Sequence, residues 1–372
     1  MDGDLESVGM KLSDLIGAME QIAPTRYAES WDNVGLLAGD PAQAVSNVLL
    51  TIDYTSAVAY EGQRLRCDAV IAYHPPIFQA IKRVVAGNVV FDALRRGVAI
   101  YSPHTALDVA EGGTNDVLCD ILSVGTRRAL RIGETKASHL KLVTFVPEEH
   151  LEKVSAALFD AGAGHIGKYS SCSFRSAGTG TFFGEAGTNP AVGQSGQLER
   201  APEIRVETVI PISRVAEIVN ALKSSHPYEE PAFDLQQLAA APEGIGIGRI
   251  GDFEPSVDRA ELIDRLKRGL GIGHLLVSGP AAGAARSAAV CAGAGGELLG
   301  DALSQKADVY VTGEVRHHDA LRAAASGMTV ICTLHSNSER IALTRLKQRL
   351  EAALPGLEFH LSQADRDPFV IQ

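Results

Sequence analysis

The segment Asp68–Phe78, with the sequence DAVIAYHPPIF, joins an apolar, β-branched run to a histidine that two prolines follow. The run predicts a buried strand over 68–73, which the prolines end just after His74. Two further apolar runs lead into clusters of the same kind: Val98–Tyr101 into SPHTALD (Ser102–Asp108), and Met328–Thr333 into LHSNSE (Leu334–Glu339). Because the carboxyl ends of parallel strands meet at one edge of a sheet, we expect the three clusters to converge there.

Histidine and carboxylate side chains share these clusters, a combination typical of transition-metal sites. His104 and Asp108 are four residues apart, as are His335 and Glu339. Across a strand-to-helix turn, both members of such a pair can reach one ion. A hydrogen-bonded structural role is the common alternative for any single histidine, but packing gives no reason for three clusters at one position. Mixed ligands of this kind suit Zn, Fe, Mn, Co or Ni better than Ca or Mg.

Two polar segments, Glu29–Asn33 and Glu314–Asp319, are expected to surround this edge of the sheet. Trp31 is the single tryptophan of the chain and stands among polar residues. It either lines a pocket or fills the amino-terminal part of the core. His318 follows an apolar run and could point into the same crevice as a base or a substrate contact, whereas His317 is expected to be solvated.

The composition indicates a globular protein with more than one domain. The chain has 372 residues, of which 45% are hydrophobic and 21% charged. A net charge of −11 argues against a general nucleic-acid surface, which needs dense Lys and Arg. Its five cysteines include no CxxC pair, which argues against a disulfide framework and a cysteine zinc site. No apolar stretch is long enough to span a bilayer, and the acidic start lacks signal-peptide features, so we expect a cytoplasmic protein with no membrane partner.

The order of the predicted elements divides the chain into three parts. Strands and helices alternate over 45–122 and again over 258–333, which is typical of an α/β domain with a parallel-rich sheet. Between them, residues 140–238 have the order β-α-β, loop, β-α-β of a ferredoxin-like α+β unit. The expected boundaries are 1–135 and 244–372 for a split α/β domain, and 136–243 for an inserted domain.

Two glycine-rich strings invite phosphate-binding interpretations. Gly246–Gly251 matches GxGxxG, but Pro255 follows and no helix opens at the third glycine, so a dinucleotide site is rejected. Gly293–Gly296 stands between an apolar run and a predicted helix, and its backbone N–H groups could hold an anion. A tight turn with close packing is the favoured interpretation of this second string.

Taken together, these motifs resemble those of the NIF3-like family, whose members are also catalogued as GTP cyclohydrolase 1 type 2 homologues. The resemblance covers nearly the whole chain. It rests on these strings: Trp31–Leu36, His74–Phe78, His104–Asp108, Gly112–Asp116, Gly248–Gly251, Ala307–Glu314, His318–Ala320, and His335 with Glu339. The insert resembles the PII/CutA1-like domain of longer family members, through Gly162–Gly167, Gly178–Phe182 and His226–Glu230.

The resemblance implies a dinuclear metal centre, with up to two ions of Zn, Fe, Mn, Co or Ni per chain, in a toroidal homohexamer. Carried over by motif, the metal ligands are four residues: His74, Asp108, His335 and Glu339. Glu339 has two carboxylate oxygens and would be the natural bridge between two ions. His104 would lie beside the centre as a further ligand or as a partner of a ligand.

One residue departs from the family pattern. Tyr73 stands where the family usually has the first of two adjacent histidines. A neutral phenol is a poorer ligand than imidazole, and a pKa near 10 makes phenolate costly at neutral pH. We therefore expect the ion at this position to bind more weakly, unless His104 or water fills the gap.

The family name implies a metal-dependent hydrolase that acts on a nucleotide or a related phosphate or purine compound, with GTP as one candidate. His318 or His104 would then be the catalytic proton-transfer group. The alternative is a non-enzymatic metal-handling or regulatory hexamer. The likeness to PII/CutA1 domains favours this alternative, since such domains are associated with trimeric sensing and assembly.

Overall fold

The computed structural model describes residues 10–132, 139–238 and 245–372. The chain divides into two compact units, Met1–Glu134 with Gly244–Gln372 and Thr135–Glu243, which we call unit 1 and unit 2. The domain boundaries expected from the sequence, 135/136 and 243/244, fall outside the described residues.

Eleven α-helices lie in the described part of the chain. They are α1 (Leu12–Ile22), α2 (Ser56–Arg64), α3 (Val89–Arg95), α4 (His104–Val109), α5 (Thr114–Leu122), α6 (Leu151–Asp160), α7 (Val215–Ser225), α8 (Arg259–Leu270), α9 (Leu299–Ser304), α10 (His317–Ala325) and α11 (His335–Ala353). Side chains cap the amino-terminal ends of α2, α3 and α8. Thr55, Asn88 and Asp258 each accept a hydrogen bond from a backbone N–H of the first turn.

The same residues form fifteen strands. They are β1 (Gly35–Ala38), β2 (Asn47–Thr51), β3 (Ala69–Ala72), β4 (Ala99–Ser102), β5 (Arg127–Ile132), β6 (His139–Val146), β7 (Ser173–Phe183), β8 (Leu198–Pro211), β9 (Phe233–Gln237), β10 (Gly246–Asp258), β11 (Leu276–Ser278), β12 (Ala284–Cys291), β13 (Val309–Thr312), β14 (Thr329–Cys332) and β15 (Glu358–Leu361).

Unit 1 contains two mixed sheets. The first has the order β1-β4-β3-β2-β15, in which β1 alone is antiparallel to its neighbour. The second has the order β11-β14-β13-β12-β10-β5, in which β12, β13 and β14 are parallel and the outer strands are antiparallel. The fold is therefore mixed α/β, and antiparallel edge strands replace part of the parallel-rich sheet that the sequence pattern predicts.

Helices cover both faces of each sheet in unit 1. In the first sheet, α1 and α11 pack on one face and α2 and α3 on the other. In the second, α5 and α8 oppose α9 and α10 in the same way. Both faces of the central strands are thus buried, which explains why β3, β4, β13 and β14 are buried at every position and mostly apolar, without alternation.

Helix α11 connects the two sheets of unit 1. It starts directly after β14 of the second sheet, yet Leu343, Leu346 and Leu350 belong to the core of the first sheet. Ile341 on the same helix packs against the core of the second sheet. This placement brings the first turn of α11 to the carboxyl ends of β3 and β4.

Strand β10 explains the GxGxxG string. Gly246–Gly251 lies inside this strand, antiparallel to both β5 and β12, so the strand, turn and helix of a dinucleotide site are absent from this stretch. The strand itself was not expected, because its glycines and Pro255 obscure the usual signal.

Unit 2 is an antiparallel sheet with two helices on one face. Its elements follow the order β6-α6-β7-β8-α7-β9, and the strand order in the sheet is β7-β8-β6-β9. The core forms where α6 and α7 pack on β6 and β8, through Leu142, Val206, Leu158 and Leu222 among others. Among the described residues of both units, no helix combines the length and the hydropathy that crossing a bilayer requires.

Candidate metal centre

Three side chains from the predicted clusters come together in unit 1. His74 follows β3, whereas His335 and Glu339 occupy the first and second turns of α11. Their ligand-capable atoms all lie within 4.8 Å of one another. Oε2 of Glu339 is 3.2 Å from Nε2 of His74, and Oε1 is 3.3 Å from Nε2 of His335. We call these three residues the metal cluster.

Two buried polar atoms of the metal cluster meet only each other. Nε2 of His74 and Oε2 of Glu339 lie 3.2 Å apart, and within the described residues neither has a further hydrogen-bond partner. A buried polar atom without a partner costs roughly 1–3 kcal/mol, so this pair needs a proton or a metal ion between its two atoms. Two imidazoles and one carboxylate are the donor set of three-ligand catalytic zinc sites and of the facial triad that binds iron. The cluster therefore fits a divalent transition metal.

Carboxylates hold the Nδ1 atoms of three imidazoles. Nδ1 of His74 lies 3.0 Å from Oδ1 of Asp53. Nδ1 of His335 lies 2.9 Å from Oε1 of Glu314, and Nδ1 of His104 lies 2.7 Å from Oδ1 of Asp32. Such contacts fix the ring orientation and leave Nε2 to face a metal. In His74 and His335 the free nitrogen does face Glu339.

Asp53 is the residue of this arrangement that the sequence reasoning missed. It stands two residues after the carboxyl end of β2, just as His74 stands two residues after the end of β3. The rule that located His74, a polar residue directly after a buried parallel strand, also applies to Asp53. Histidine drew attention to the other clusters, and an isolated aspartate did not.

The charges around His74 affect its ionisation. Burial lowers the pKa of the imidazole, but hydrogen bonding to Asp53 and Glu339 and the charge of both carboxylates outweigh burial and raise it to about 10. Without a metal ion, His74 is thus a cation between two carboxylates at neutral pH. A divalent ion would take over the role of that proton.

Asp108 lies beside the metal cluster but outside the three-residue group. It is buried, and burial together with the charge of Glu339 raises its pKa to about 6. The hydroxyl of Tyr73 donates a hydrogen bond to its Oδ1. Asn115 fixes its backbone by donating to its carbonyl at 2.9 Å.

Tyr73 is a hydrogen-bond partner of Asp108. The phenol is completely buried, and its oxygen also lies 3.1 Å from Oγ1 of Thr114. Burial raises its pKa well above 10, and the charges of Asp108 and Glu339 act in the same direction. In the absence of a metal ion the phenol is therefore neutral at neutral pH.

Arg249 holds the carboxyl end of α4, the helix that carries His104 and Asp108. Its buried guanidinium donates to the carbonyls of Val109 at 2.9 Å and Ala110 at 3.2 Å. Asp116 balances its charge, with Oδ1 3.0 Å from Nε. The Gly248–Gly251 string thus contributes an arginine that anchors a site helix.

Two residues with positive φ mark the turns into the site helices. His104 has φ +30° and opens α4, and Leu334 has φ +69° and immediately precedes α11. Non-glycine residues seldom adopt this region, and strained backbone of this kind concentrates at functional sites. Both turns therefore carry strain at the point where they deliver a histidine to the sheet edge.

Gly293 packs against the metal cluster. Its φ is +64°, and a Cβ added there would lie 2.7 Å from Oε1 of Glu339 and 3.4 Å from Nε2 of His335. Its N–H donates to Oγ of Ser338 at 2.8 Å. The glycine string is thus a tight turn that lets backbone approach two ligand side chains.

His318 is separate from this arrangement. It lies exposed in the first turn of α10, with its ring 5.3 Å from that of His317. Within the described residues, it has no hydrogen bond or ring contact with His74, His104 or His335. The catalytic part suggested for His318 therefore has no geometric support, whereas His104 has its ring 5.4 Å from that of His74.

Known proteins resemble this chain over nearly its full length. The family model described as Duf34/NIF3 (NGG1p interacting factor 3) matches residues 10–368. A protein of Halalkalibacterium halodurans named GTP cyclohydrolase 1 type 2 homolog is 36% identical over 363 residues, which cover 95% of this chain and 97% of that protein. A Mycobacterium tuberculosis protein of the same name is 37% identical over 347 residues, 89% of each chain.

A solved structure agrees with these sequence matches. The crystal structure of a Bacillus cereus protein related to NIF3 superposes with a TM-score of 0.77 at 33% identity. The match covers 98% of this chain and 100% of that one. The family resemblance predicted from the motifs is confirmed, and the chain belongs to the Duf34/NIF3 family.

Proposed function

We propose that this chain is a divalent-metal-dependent hydrolase whose centre is built on His74, His335 and Glu339. One observation carries the proposal: the ligand atoms of these three residues lie within 4.8 Å of one another, and Nε2 of His74 and Oε2 of Glu339 are buried, 3.2 Å apart and without a further partner among the described residues. A third ligand atom, Nε2 of His335, lies 3.3 Å from the same carboxylate. A three-ligand set leaves a coordination position free, as catalytic sites do and closed structural sites do not.

The ions would be Zn, Fe, Mn, Co or Ni, as the mixed imidazole and carboxylate donors suggest. Divalent ions of this kind supply Lewis acidity for hydrolytic reactions. A second ion would be held by Asp108 together with Glu339, with His104 beside it. The hydrogen bond from Tyr73 to Asp108 supports weaker binding at this second position.

The chain supplies a candidate for proton transfer in His104. Asp32 has a fully buried side chain and accepts from Nδ1 of His104 at 2.7 Å, which leaves Nε2 as the basic nitrogen. Asp53 and Glu314 hold the imidazoles of His74 and His335 in the same manner. The residues thus provide an oriented base next to an oriented set of ligands.

A nucleotide or a related phosphate or purine compound is the proposed substrate class. Its support is the name GTP cyclohydrolase 1 type 2 homolog, which the relatives from Halalkalibacterium halodurans and Mycobacterium tuberculosis carry.

The proposed assembly is a toroidal homohexamer. Unit 2 is proposed to be a ferredoxin-like, PII/CutA1-like insert, because its β-α-β-β-α-β order and its sheet order β7-β8-β6-β9 are those of that fold.

Turnover tests the proposal. Protein loaded with Zn or Mn is incubated with GTP, and released products are quantified beside Glu339→Ala and the control Glu351→Ala, an exposed residue of the same helix. We expect turnover by the native chain and the control, and loss of at least 100-fold in Glu339→Ala with the fold and assembly retained. Tight metal binding without turnover across nucleotides and purines would overturn the hydrolase and favour the metal-handling alternative.

A further inference from the structure

Three aromatic rings form a cluster beside the metal centre. The ring centroids of Trp31, Phe78 and His104 lie 6.0 to 6.4 Å apart, and every pair meets edge to face. Trp31 is 59% exposed and Phe78 is 48% exposed. We call these two exposed rings the aromatic platform. Large aromatic side chains with this much free surface are typical of recognition sites.

Buried polar contacts fix the segment that carries Trp31. The fully buried carboxylate of Asp32 accepts from Nδ1 of His104 at 2.7 Å and from the backbone N–H of Thr105 at 3.2 Å. Asn33 donates from Nδ2 to the carbonyl of Ile77 at 2.5 Å, which ties the segment to the residue preceding Phe78. The two rings are therefore held in a fixed relation, although both face solvent.

The platform continues directly into the metal cluster. His104 contacts both platform rings, and its centroid lies 5.4 Å from that of His74. The ring of His74 is in turn 5.3 Å from that of His335. A planar group resting on Trp31 or Phe78 would thus lie one ring away from the ligands.

The side chains at this site, taken without the metal ion, are unfavourable for a polyanion. Five carboxylates surround the imidazoles of His74, His104 and His335: Asp32, Asp53, Asp108, Glu314 and Glu339. Among the residues that the structure describes, none of the five forms an ion pair with Lys or Arg. Arg340, which acts on Asp53 at longer range, is paired with Asp365. Phosphate recognition normally employs Arg or Lys contacts.

We propose that the aromatic platform of Trp31 and Phe78 binds the planar ring of a purine-type substrate, and that the ring rather than a phosphate chain supplies the affinity. This deepens the proposed function and rests on it. Stacking on an aromatic side chain is independent of phosphate charge and contributes substantially per base. The acidic surroundings then add nothing to the affinity for a triphosphate chain, so guanosine and GTP should bind about equally well.

Trp31 makes the test direct, because the chain has no other tryptophan. Its fluorescence is followed in the full-length, Zn-loaded protein during titration with guanosine, GTP and inorganic triphosphate. We expect guanosine and GTP to quench Trp31 with dissociation constants within about threefold, whereas triphosphate neither quenches nor competes. Phe78→Ala and Phe78→Leu should each weaken guanosine binding about tenfold, since both lose the ring face. Phe369→Ala, at a phenylalanine that is 71% exposed and outside the platform, should have no effect.

Zinc content and turnover are measured on the same samples, which separates this proposal from the hydrolase assignment. Absence of quenching by millimolar guanosine, with zinc binding and turnover intact, would overturn the platform and leave the proposed function standing. Triphosphate binding as tightly as GTP, or guanosine binding unchanged in both Phe78 variants, would overturn it as well. Loss of zinc from the native protein would instead contradict the proposed function.

Discussion

The Nδ1 atom of His74 lies 3.0 Å from Oδ1 of Asp53, and this contact decides which nitrogen of His74 faces Glu339. The same relationship recurs between His335 and Glu314. Because the orienting carboxylates come from the ends of β2 and β13, the centre depends on four strand ends in two sheets. Its geometry is a property of the whole of unit 1.

Asp53→Asn should weaken metal binding at His74. The amide retains an oxygen near Nδ1 but removes the charge that orients the imidazole and raises its basicity, so we expect a loss of roughly 10- to 100-fold in affinity. Isothermal titration with zinc measures it. The matched control is Asp264→Asn, an exposed position on α8. Equal affinity in native and Asp53→Asn protein would show that this contact does not serve the site.

Tyr73→His should strengthen the second ion. The substitution adds an imidazole donor at a position that already holds a large ring, and it removes the phenol that donates to Asp108. We expect the metal stoichiometry to rise towards two ions per chain, or the affinity for the second ion to increase clearly. Tyr73→Phe, which removes only the hydroxyl, separates the new donor from the freed carboxylate. The hypothesis is that Tyr73 weakens binding of the second ion. It would be refuted if the native chain bound two ions equally and Tyr73→His left their binding unchanged.

Gly293→Ala should damage both stability and metal binding. A Cβ at this φ of +64° would lie 2.7 Å from Oε1 of Glu339, so the carboxylate must move away from His335. The left-handed backbone alone costs about 1–2 kcal/mol. Thermal unfolding and zinc titration measure the two effects. Gly300→Ala in α9, where an added Cβ meets nothing within 4 Å, should leave zinc affinity unchanged. A Gly293→Ala chain that binds zinc normally would contradict the close approach.

Protonation of His226 should destabilise unit 2 below pH 6.5. Its Nε2 donates to the carbonyl of Phe145 at 3.0 Å, and its Nδ1 accepts from the N–H of Tyr228 at 3.1 Å. Burial lowers its pKa, an effect to which nearby His150 adds and which Glu203 opposes. Below pH 6.5 the imidazole binds a proton in the unfolded chain but stays neutral in the folded chain. The free energy of unfolding therefore decreases as the pH is lowered.

Unfolding of the native chain and of His226→Gln between pH 5 and 7.5 measures this contribution. The variant has no imidazole to protonate, so its stability should fall less steeply below pH 6.5. The difference in slope between the two profiles should vanish above pH 7, where the imidazole is neutral in the folded and the unfolded state. Parallel profiles over the whole range would show that His226 does not sense pH.

The sequence predicted the strands that deliver the site because they are buried on both faces. β3, β4 and β14 are mostly apolar and buried at every position, and each is followed by a polar cluster. Topology then places their ends together. Strand β10 escaped prediction because its sequence, GIGRIGDFEPSVD, has three glycines and a proline among its apolar residues and no clear alternation.

The sequence alone could not predict the direction in which individual side chains point. Nothing local to Tyr73 shows that its hydroxyl meets Asp108, since that contact requires α4 to pack over the end of β3. His318 illustrates the converse case, because it follows β13 as His74 follows β3 and yet lies exposed on α10. Position after a strand predicts which residues are near the crevice, and tertiary packing decides which of them enter it.

The metal content of the purified chain tests the central claim most directly. Protein prepared without added metal is analysed for transition elements beside Glu339→Gln, which keeps the side-chain shape but removes the charge shared by His74 and His335. We predict at least one ion of Zn, Fe, Mn, Co or Ni per native chain, the same content in the exposed control Glu351→Gln, and less than a tenth of it in Glu339→Gln. A native chain that retains no transition metal even after reconstitution, or equal metal content in Glu339→Gln, would contradict the account.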